Sequence, residues 1–225
     1  MGYGRTIKTS VSKPELVKRR RIEIIDAAVS LFSGQGYYRT KISDIAERLG
    51  VSQGTIYKYF EEKDDILYLA IMHILETYEK EIPGQIQSAR NPVEKVCLAI
   101  RAYCQIVDRM PDETVLAYRS TKSLHPRRQE YIKEAELKTN SLIEECVTAC
   151  VEQGFYVAVN DYLLSYQYVM YCHTWALKNW ALRQNFDIEA YIKEGCKLLV
   201  EPFLTKKGWE SYKSTVSGNA CGLQE

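Results

Sequence analysis

The sequence predicts an all-α protein, and three observations predict it. Apolar residues recur at helical spacing through most of the chain, as in Ile42, Ile45, Ala46 and Leu49. Capping and breaking residues punctuate these stretches, among them Ser52, Asn91-Pro92, Gly154 and Asp187. No stretch of any length alternates apolar and polar residues as a half-buried strand does, and there is no internal repeat. The 225 residues suffice for one large or two modest domains. The expected order is a flexible arm over 1–17, a three-helix unit over 18–63, a larger helical body over 64–204 and a flexible tail over 205–225.

The arm is polar, with Gly2, Gly4 and Pro14, and Lys18-Arg19-Arg20-Arg21 opens the first helix. Ile22, Ile25, Val29 and Phe32 form its buried stripe, and Gly34 and Gly36 end it. Thr40 is the expected N-cap of the second helix, with Asp44 in its first turn favouring the helix dipole. Gly50 stands where a left-handed residue ends a helix, and Ser52 then caps a third. Helix, glycine turn, helix is the outline of a helix-turn-helix. In the third helix Ile56 and Phe60 anchor one face, leaving Ser52, Gln53, Gly54, Thr55, Tyr57, Lys58 and Tyr59 outward. That face carries hydrogen-bonding and aromatic tips and no acid, which suits a helix lying in the major groove of DNA.

The run Thr40-x-Ile42-x-Asp44-Ile45-Ala46-x-x-x-Gly50-Val51-Ser52-x-Gly54-Thr55-x-Tyr57-x-Tyr59-Phe60-x-x-Lys63, reaching back through Phe32 and Gly36, resembles the DNA-binding domain of the TetR family of bacterial transcription regulators. The resemblance covers about the first third of the chain. It implies a helix-turn-helix DNA-binding head and a helical ligand-binding and dimerisation body. It also implies a double-stranded operator as partner, contacted by Thr40, Lys41, Ser52, Gln53, Gly54, Thr55, Tyr57, Lys58, Tyr59 and Lys63. Lys63 would meet a phosphate at the start of the helix joining head to body.

Charge agrees with a basic head. The chain is nearly neutral at +1, but residues 1–60 hold 11 Lys and Arg against 5 Asp and Glu, and residues 61–225 hold 19 against 24. No run of about 18 apolar residues can span a membrane, and the N-terminus has no apolar signal core, so a cytoplasmic location is expected. The seven cysteines make no Cys-x-x-Cys and fall mostly on apolar faces, as reduced core thiols do. Cys146 and Cys150, one turn apart, have no histidine at ligand spacing. No metal and no cofactor is expected.

Along the body, a helix from Glu61 is stopped by Pro83-Gly84, and the next begins at Asn91-Pro92 and breaks at Pro111. A short helix runs toward Leu124-His125-Pro126, and a long one to Gln153. Asp161 caps a helix reaching Asn185, and Asp187 caps the last. These two C-terminal helices are too apolar for a monomer's surface. Trp180, Ile192, Leu198 and Leu199 are expected in the seam of a homodimer, a four-helix bundle about a two-fold axis.

Tyr103, Tyr118, Tyr168, Tyr171 and Trp175 are candidates to line a ligand cavity. The stretch Tyr118–Arg128 loosely resembles TetR-type regulators that sense acyl-coenzyme A thioesters. In that reading Arg119 and Lys122 meet the phosphates. A lipophilic or aromatic effector without phosphates is the alternative. The reading from another class, a helical enzyme, finds no support in motif: there is no phosphate loop, no Gly-x-Ser-x-Gly, and His73, His125 and His173 are not spaced as ligands.

Overall fold

Helix follows helix from Pro14 to the end of the described part of the chain; the computed structural model describes residues 7–217. The elements are α1 (Pro14–Gln35), α2 (Ile42–Arg48), α3 (Gln53–Tyr57), α4 (Lys63–Ile86), α5 (Pro92–Arg109), α6 (Pro111–Ser120), α7 (Pro126–Glu152), α8 (Asp161–Leu177), α9 (Asn179–Leu182), α10 (Ile188–Leu199) and α11 (Lys206–Ser217), with single 3-10 turns after α6 and α10. Among the described residues the only strand-like pairing is one antiparallel bridge, Tyr156 to Leu204. The all-α expectation holds.

The chain forms two compact units. One comprises residues up to Leu75 together with Asp112–Ala135; the other comprises Glu76–Pro111 and Glu136 onward. The division therefore falls inside α4 rather than at the expected 63/64 boundary. The reason is burial: Ile66, Leu67, Ala70 and Ile71 in the first half of α4 are wholly enclosed, so the first unit needs more cover than three short helices supply.

In the first unit, α1 starts with Pro14 at its first turn, four residues before the expected Lys18, because proline's fixed φ and missing N–H suit that position. Its core face is Ile24, Ile25, Ala28, Val29 and Phe32, whereas Ile22, expected in the stripe, is exposed. Gly36, with φ +90°, ends the helix. Thr40 does not cap α2. Its hydroxyl is buried, donating to the Gly36 carbonyl at 2.9 Å, and the Lys41 N–H donates to Asp44 Oδ2 at 2.9 Å instead. Gly50 turns the chain at φ +64°, and Ser52 Oγ accepts from Thr55 N at 3.2 Å, both as expected. Ile56 and Phe60 are buried anchors.

In the second unit, α4 runs on to Ile86 through Pro83, which removes one helical hydrogen bond without ending the helix. Asn91 Oδ1 caps α5, accepting from Glu94 N at 2.9 Å. α8 is capped by Asn160, not Asp161; Asp161 instead accepts from Thr148 of α7 at 2.6 Å. The expected helix to Asn185 breaks after Leu177, leaving α9 as a short separate turn. α8 and α10 are pinned by a reciprocal tyrosine pair. The Tyr171 and Tyr191 rings stack at 4.3 Å, and each hydroxyl donates to the other residue's carbonyl, at 2.6 and 2.8 Å.

The tail expected over 205–225 is in part a helix, α11. Thr205 N donates to Phe155 O at 2.9 Å and Lys207 Nζ to Gln153 O at 2.8 Å, while Tyr212 is buried. Gly208 makes this seat possible, since a Cβ there would lie 2.2 Å from Phe155 O. The helix escapes a reading by composition because most of its residues are polar, and Tyr212 is its buried aromatic residue.

Candidate nucleic-acid interface and ligand site

On the first unit, α3 and its caps present Ser52, Gln53, Gly54, Tyr57 and Lys58 to solvent, with Thr55 half-buried, and Lys41 is exposed at the N-cap of α2. Ten residues were expected to contact DNA, and three of them are turned inward. Thr40 and Tyr59 are buried. Lys63 donates its ammonium to the carbonyls of Tyr37 at 2.8 Å and Thr40 at 2.9 Å, and lies 4.2 Å from the Tyr37 ring centroid. Burial lowers its pKa, and through those two carbonyls the ammonium ties down the turn between α1 and α2. The turn itself exposes Tyr38 and Arg39, beside Lys41 in the chain. They went unread because the aromatic-basic pair lies in a loop, outside the helix pattern.

The start of α4 is tightly tied. Asp65, almost fully buried, accepts from the backbone N–H of Glu61 at 2.8 Å and Glu62 at 3.0 Å. It also pairs with Arg128 at the start of α7, whose guanidinium lies 3.3 Å from Glu62 and over the Tyr68 ring. Tyr37 donates its hydroxyl to Asp64, and burial and that bond raise its pKa. Arg128 closes one side of a cleft of about 360 Å³ lined by Glu62, Asp64, Tyr68, His125, Arg127 and Tyr131.

The aromatic residues expected to line a ligand cavity divide between the two units. Tyr118, Arg119 and Lys122 are exposed on the first unit. Tyr103, Tyr168, Tyr171 and Trp175 belong to the second, and most of their polar tips are engaged there. Tyr168 OH donates to Leu199 O at 2.7 Å, Trp175 Nε1 to Asp108 Oδ1 at 2.8 Å, and Tyr171 OH to Tyr191 O. These three are core residues that also hold helices together. Tyr103 stacks on Tyr78 at 4.1 Å, and its hydroxyl meets His173 Nε2 at 3.0 Å.

Burial pushes the His173 pKa down to about 4 from 6.5, so the ring is neutral in the folded chain. The unfolded chain takes up the proton first as pH falls. The stabilisation is whole above pH 6.5 and is lost between there and about pH 4, at about 1.4 kcal/mol per pH unit. His173→Gln should flatten the acid limb of stability by that slope, as read from urea midpoints across pH. An unchanged limb would mean that the ring is solvated.

The seam residues also divide. Trp180 and Leu198 are 73% and 66% exposed and Leu199 is half-buried, but Ile192 is wholly buried inside its own protomer and cannot lie in a seam. Tyr162, Leu163 and Met170 of α8 are exposed as well. α8 is apolar around most of its circumference, which hid these positions behind the core stripe in the sequence.

The described cysteines Cys97, Cys104, Cys146, Cys150, Cys172 and Cys196 are all buried; Cys221 lies outside the described residues. Burial raises the Cys146 and Cys150 thiols to about 11 and about 12. Among the described residues no cluster of three or more His, Cys, Asp or Glu suits a metal, and no helix is long and apolar enough to cross a membrane.

Residues 24–68 match the family of bacterial regulatory proteins called tetR, and residues 89–178 match the tetracyclin repressor-like C-terminal domain. The chain is 52% identical over 208 residues to the HTH-type transcriptional regulator HbdR of Aromatoleum sp. (strain CIB), covering 92% of this chain and 91% of that protein. It is 23% identical over 180 residues to the fatty acid metabolism regulator protein of Bacillus subtilis (strain 168), covering 80% and 93%. Among solved structures it is similar to AibR in complex with isovaleryl coenzyme A and operator DNA, at a TM-score of 0.72 and 19% identity, covering 82% of this chain and 100% of AibR.

Proposed function

The chain belongs to the TetR family of bacterial regulatory proteins and is a helix-turn-helix transcription regulator, and from that premise we propose a homodimeric cytoplasmic repressor released from a palindromic operator by an acyl-coenzyme A thioester. One observation carries the DNA reading: α3 is anchored by buried Ile56 and offers Gln53, Gly54, Tyr57 and Lys58 outward with no acid among them. Gln53 and Thr55 read base edges, and Tyr57 and Lys58 meet phosphates. Two such helices about 34 Å apart would read the two half-sites.

The effector reading is supported by relatives. The Bacillus subtilis relative is named for fatty acid metabolism, and AibR was solved with isovaleryl coenzyme A and operator. The acyl group would lie near Tyr103 and His173. A ligand can release DNA only to the extent that it binds the released state better, and about 1.4 kcal/mol of difference gives a tenfold release. The test is a titration of the operator complex with an acyl-coenzyme A series, the matching free acids and coenzyme A alone. Thioesters should release the operator at least tenfold while the acids and coenzyme A do not. Release by the free acids or by lipophilic compounds alone removes the thioester; binding scrambled DNA as well as operator removes the reader.

A further inference from the structure

The excess positive charge of the head is not on the reading helix. Residues 1–21 carry Arg5, Lys8, Lys13, Lys18, Arg19, Arg20 and Arg21 against the single acid Glu15. Residues 22–60 balance Arg39, Lys41, Arg48 and Lys58 against Glu23, Asp26, Asp44 and Glu47. The electrostatic attraction to a polyanion that the head needs therefore lies in its first 21 residues.

The structure fixes part of that stretch in place. Ser10 N and Thr9 Oγ1 both donate to the carbonyl of Lys58, the C-cap of α3, at 3.1 and 2.8 Å. Arg21 of α1 reaches across to donate to Ile7 O at 2.7 Å, Lys8 O at 3.3 Å and Tyr59 O at 3.2 Å, with its guanidinium 5.5 Å from the Phe60 ring centroid. Ile7 is buried. The segment is thus strapped to the C-terminal end of α3, while Lys8 and Lys13 stay exposed and Lys8 makes only a 3.7 Å surface pair with Glu61. A five-residue helix is about 7.5 Å long, so this end of α3 lies within the width of the groove its other end enters, about 12 Å.

We propose that residues 7–13 form a second DNA-contacting element, held by Arg21 and the Lys58 carbonyl so that Lys8 and Lys13 meet the phosphate backbone flanking the groove read by α3. The inference rests on the DNA-binding reading of that helix. Arg21 is a positioning residue: its guanidinium is engaged by three carbonyls and stays off the DNA. The element supplies affinity and register and carries no base information of its own.

The test uses the full chain, with operator and scrambled duplexes titrated over a range of salt. In Lys8→Ala/Lys13→Ala the slope of log affinity against log salt should fall in magnitude by about 3.6 per operator-bound dimer, since four phosphate contacts are lost and each contributes about 0.9. The ratio of operator to scrambled binding should not change, and hydroxyl-radical protection should recede at the outer edges of each half-site. Arg21→Lys keeps the charge but lacks the planar fork whose Nε and Nη2 reach Tyr59 on one side and Ile7 and Lys8 on the other, so it should lose the same outer protection. Should that variant fold poorly, the double substitution, confined to exposed side chains, carries the test. An unchanged slope and footprint in the double variant, with operator preference intact, overturns the second element alone. Absence of operator preference in the unmodified chain overturns the reading helix and this element with it.

Discussion

Trp180→Glu/Leu198→Glu should sediment as a monomer and lose operator affinity by about 10²–10⁴-fold, the range forfeited when a second linked contact is removed. Both side chains stand out from α9 and α10 with most of their surface in water, and Tyr162, Leu163 and Met170 of α8 are exposed as well. Exposed apolar side chains in that number call for a partner, and a two-fold bundle of α8 and α10 from two protomers would cover them. A carboxylate at each position would have to be buried unpaired on association, which outweighs the gain from the remaining contacts. The stacked Tyr171–Tyr191 pair holds α8 to α10 from the inside, so the substitutions should leave the protomer folded. Sedimentation velocity and operator binding on the same preparation decide the matter. A variant that remains dimeric and binds operator normally would place the seam on another face.

Asp65→Ala should destabilise the first unit by about 3–5 kcal/mol, the cost of leaving one member of a buried ion pair alone. The carboxylate is only 3% exposed and does two things at once: it caps two N–H groups at the start of α4 and compensates the Arg128 guanidinium, 15% exposed. Glu62 at 3.3 Å is too exposed to take over, and Arg128 Nη1 already lacks a hydrogen-bond partner. Asp65→Asn separates the two roles. It keeps an acceptor for the N–H groups and removes the charge, so its loss should be smaller than that of alanine by about 1 kcal/mol, the usual worth of a cap. Urea unfolding followed by far-ultraviolet circular dichroism reads this directly. Equal stability of Asp65→Ala and the unmodified chain would show that the pair is solvated in solution.

The helix-turn-helix was legible because its signals are local. Ser52 caps, Gly50 turns and Ile56 anchors, and each acts within a few residues of its place in the sequence. Lys63 and Thr40 misled because their fate is decided by distant groups. A lysine at a helix start beside a presumed phosphate site looks free until the turn at Tyr37–Thr40 folds back and offers two carbonyls. The aromatic residues of the body had the same ambiguity. Helical spacing places Tyr168, Tyr171 and Trp175 on an inner face, but only the packed structure shows that Leu199, Tyr191 and Asp108 take their polar tips. α11 was lost to composition, since docking through Gly208 and Tyr212 leaves little apolar signature. Ile192 and Leu198, six residues apart on α10, point to opposite fates, a distinction that periodicity supports only once the core side is known.

The six buried thiols all lie in the second unit, as do the three tryptophans, Trp175, Trp180 and Trp209. The two halves of the molecule are therefore chemically distinguishable without any label being introduced. An alkylating reagent at neutral pH meets these thiols only when the body opens, because burial hides every one of the sulfurs and at Cys104, Cys146 and Cys150 also disfavours the reactive thiolate. The rate at which they disappear is then a clock for the opening of the body, whereas fraying of the head, which has no cysteine among the described residues, leaves it untouched. An effector that closes around the body would slow that clock, and operator DNA acting on the head alone would not.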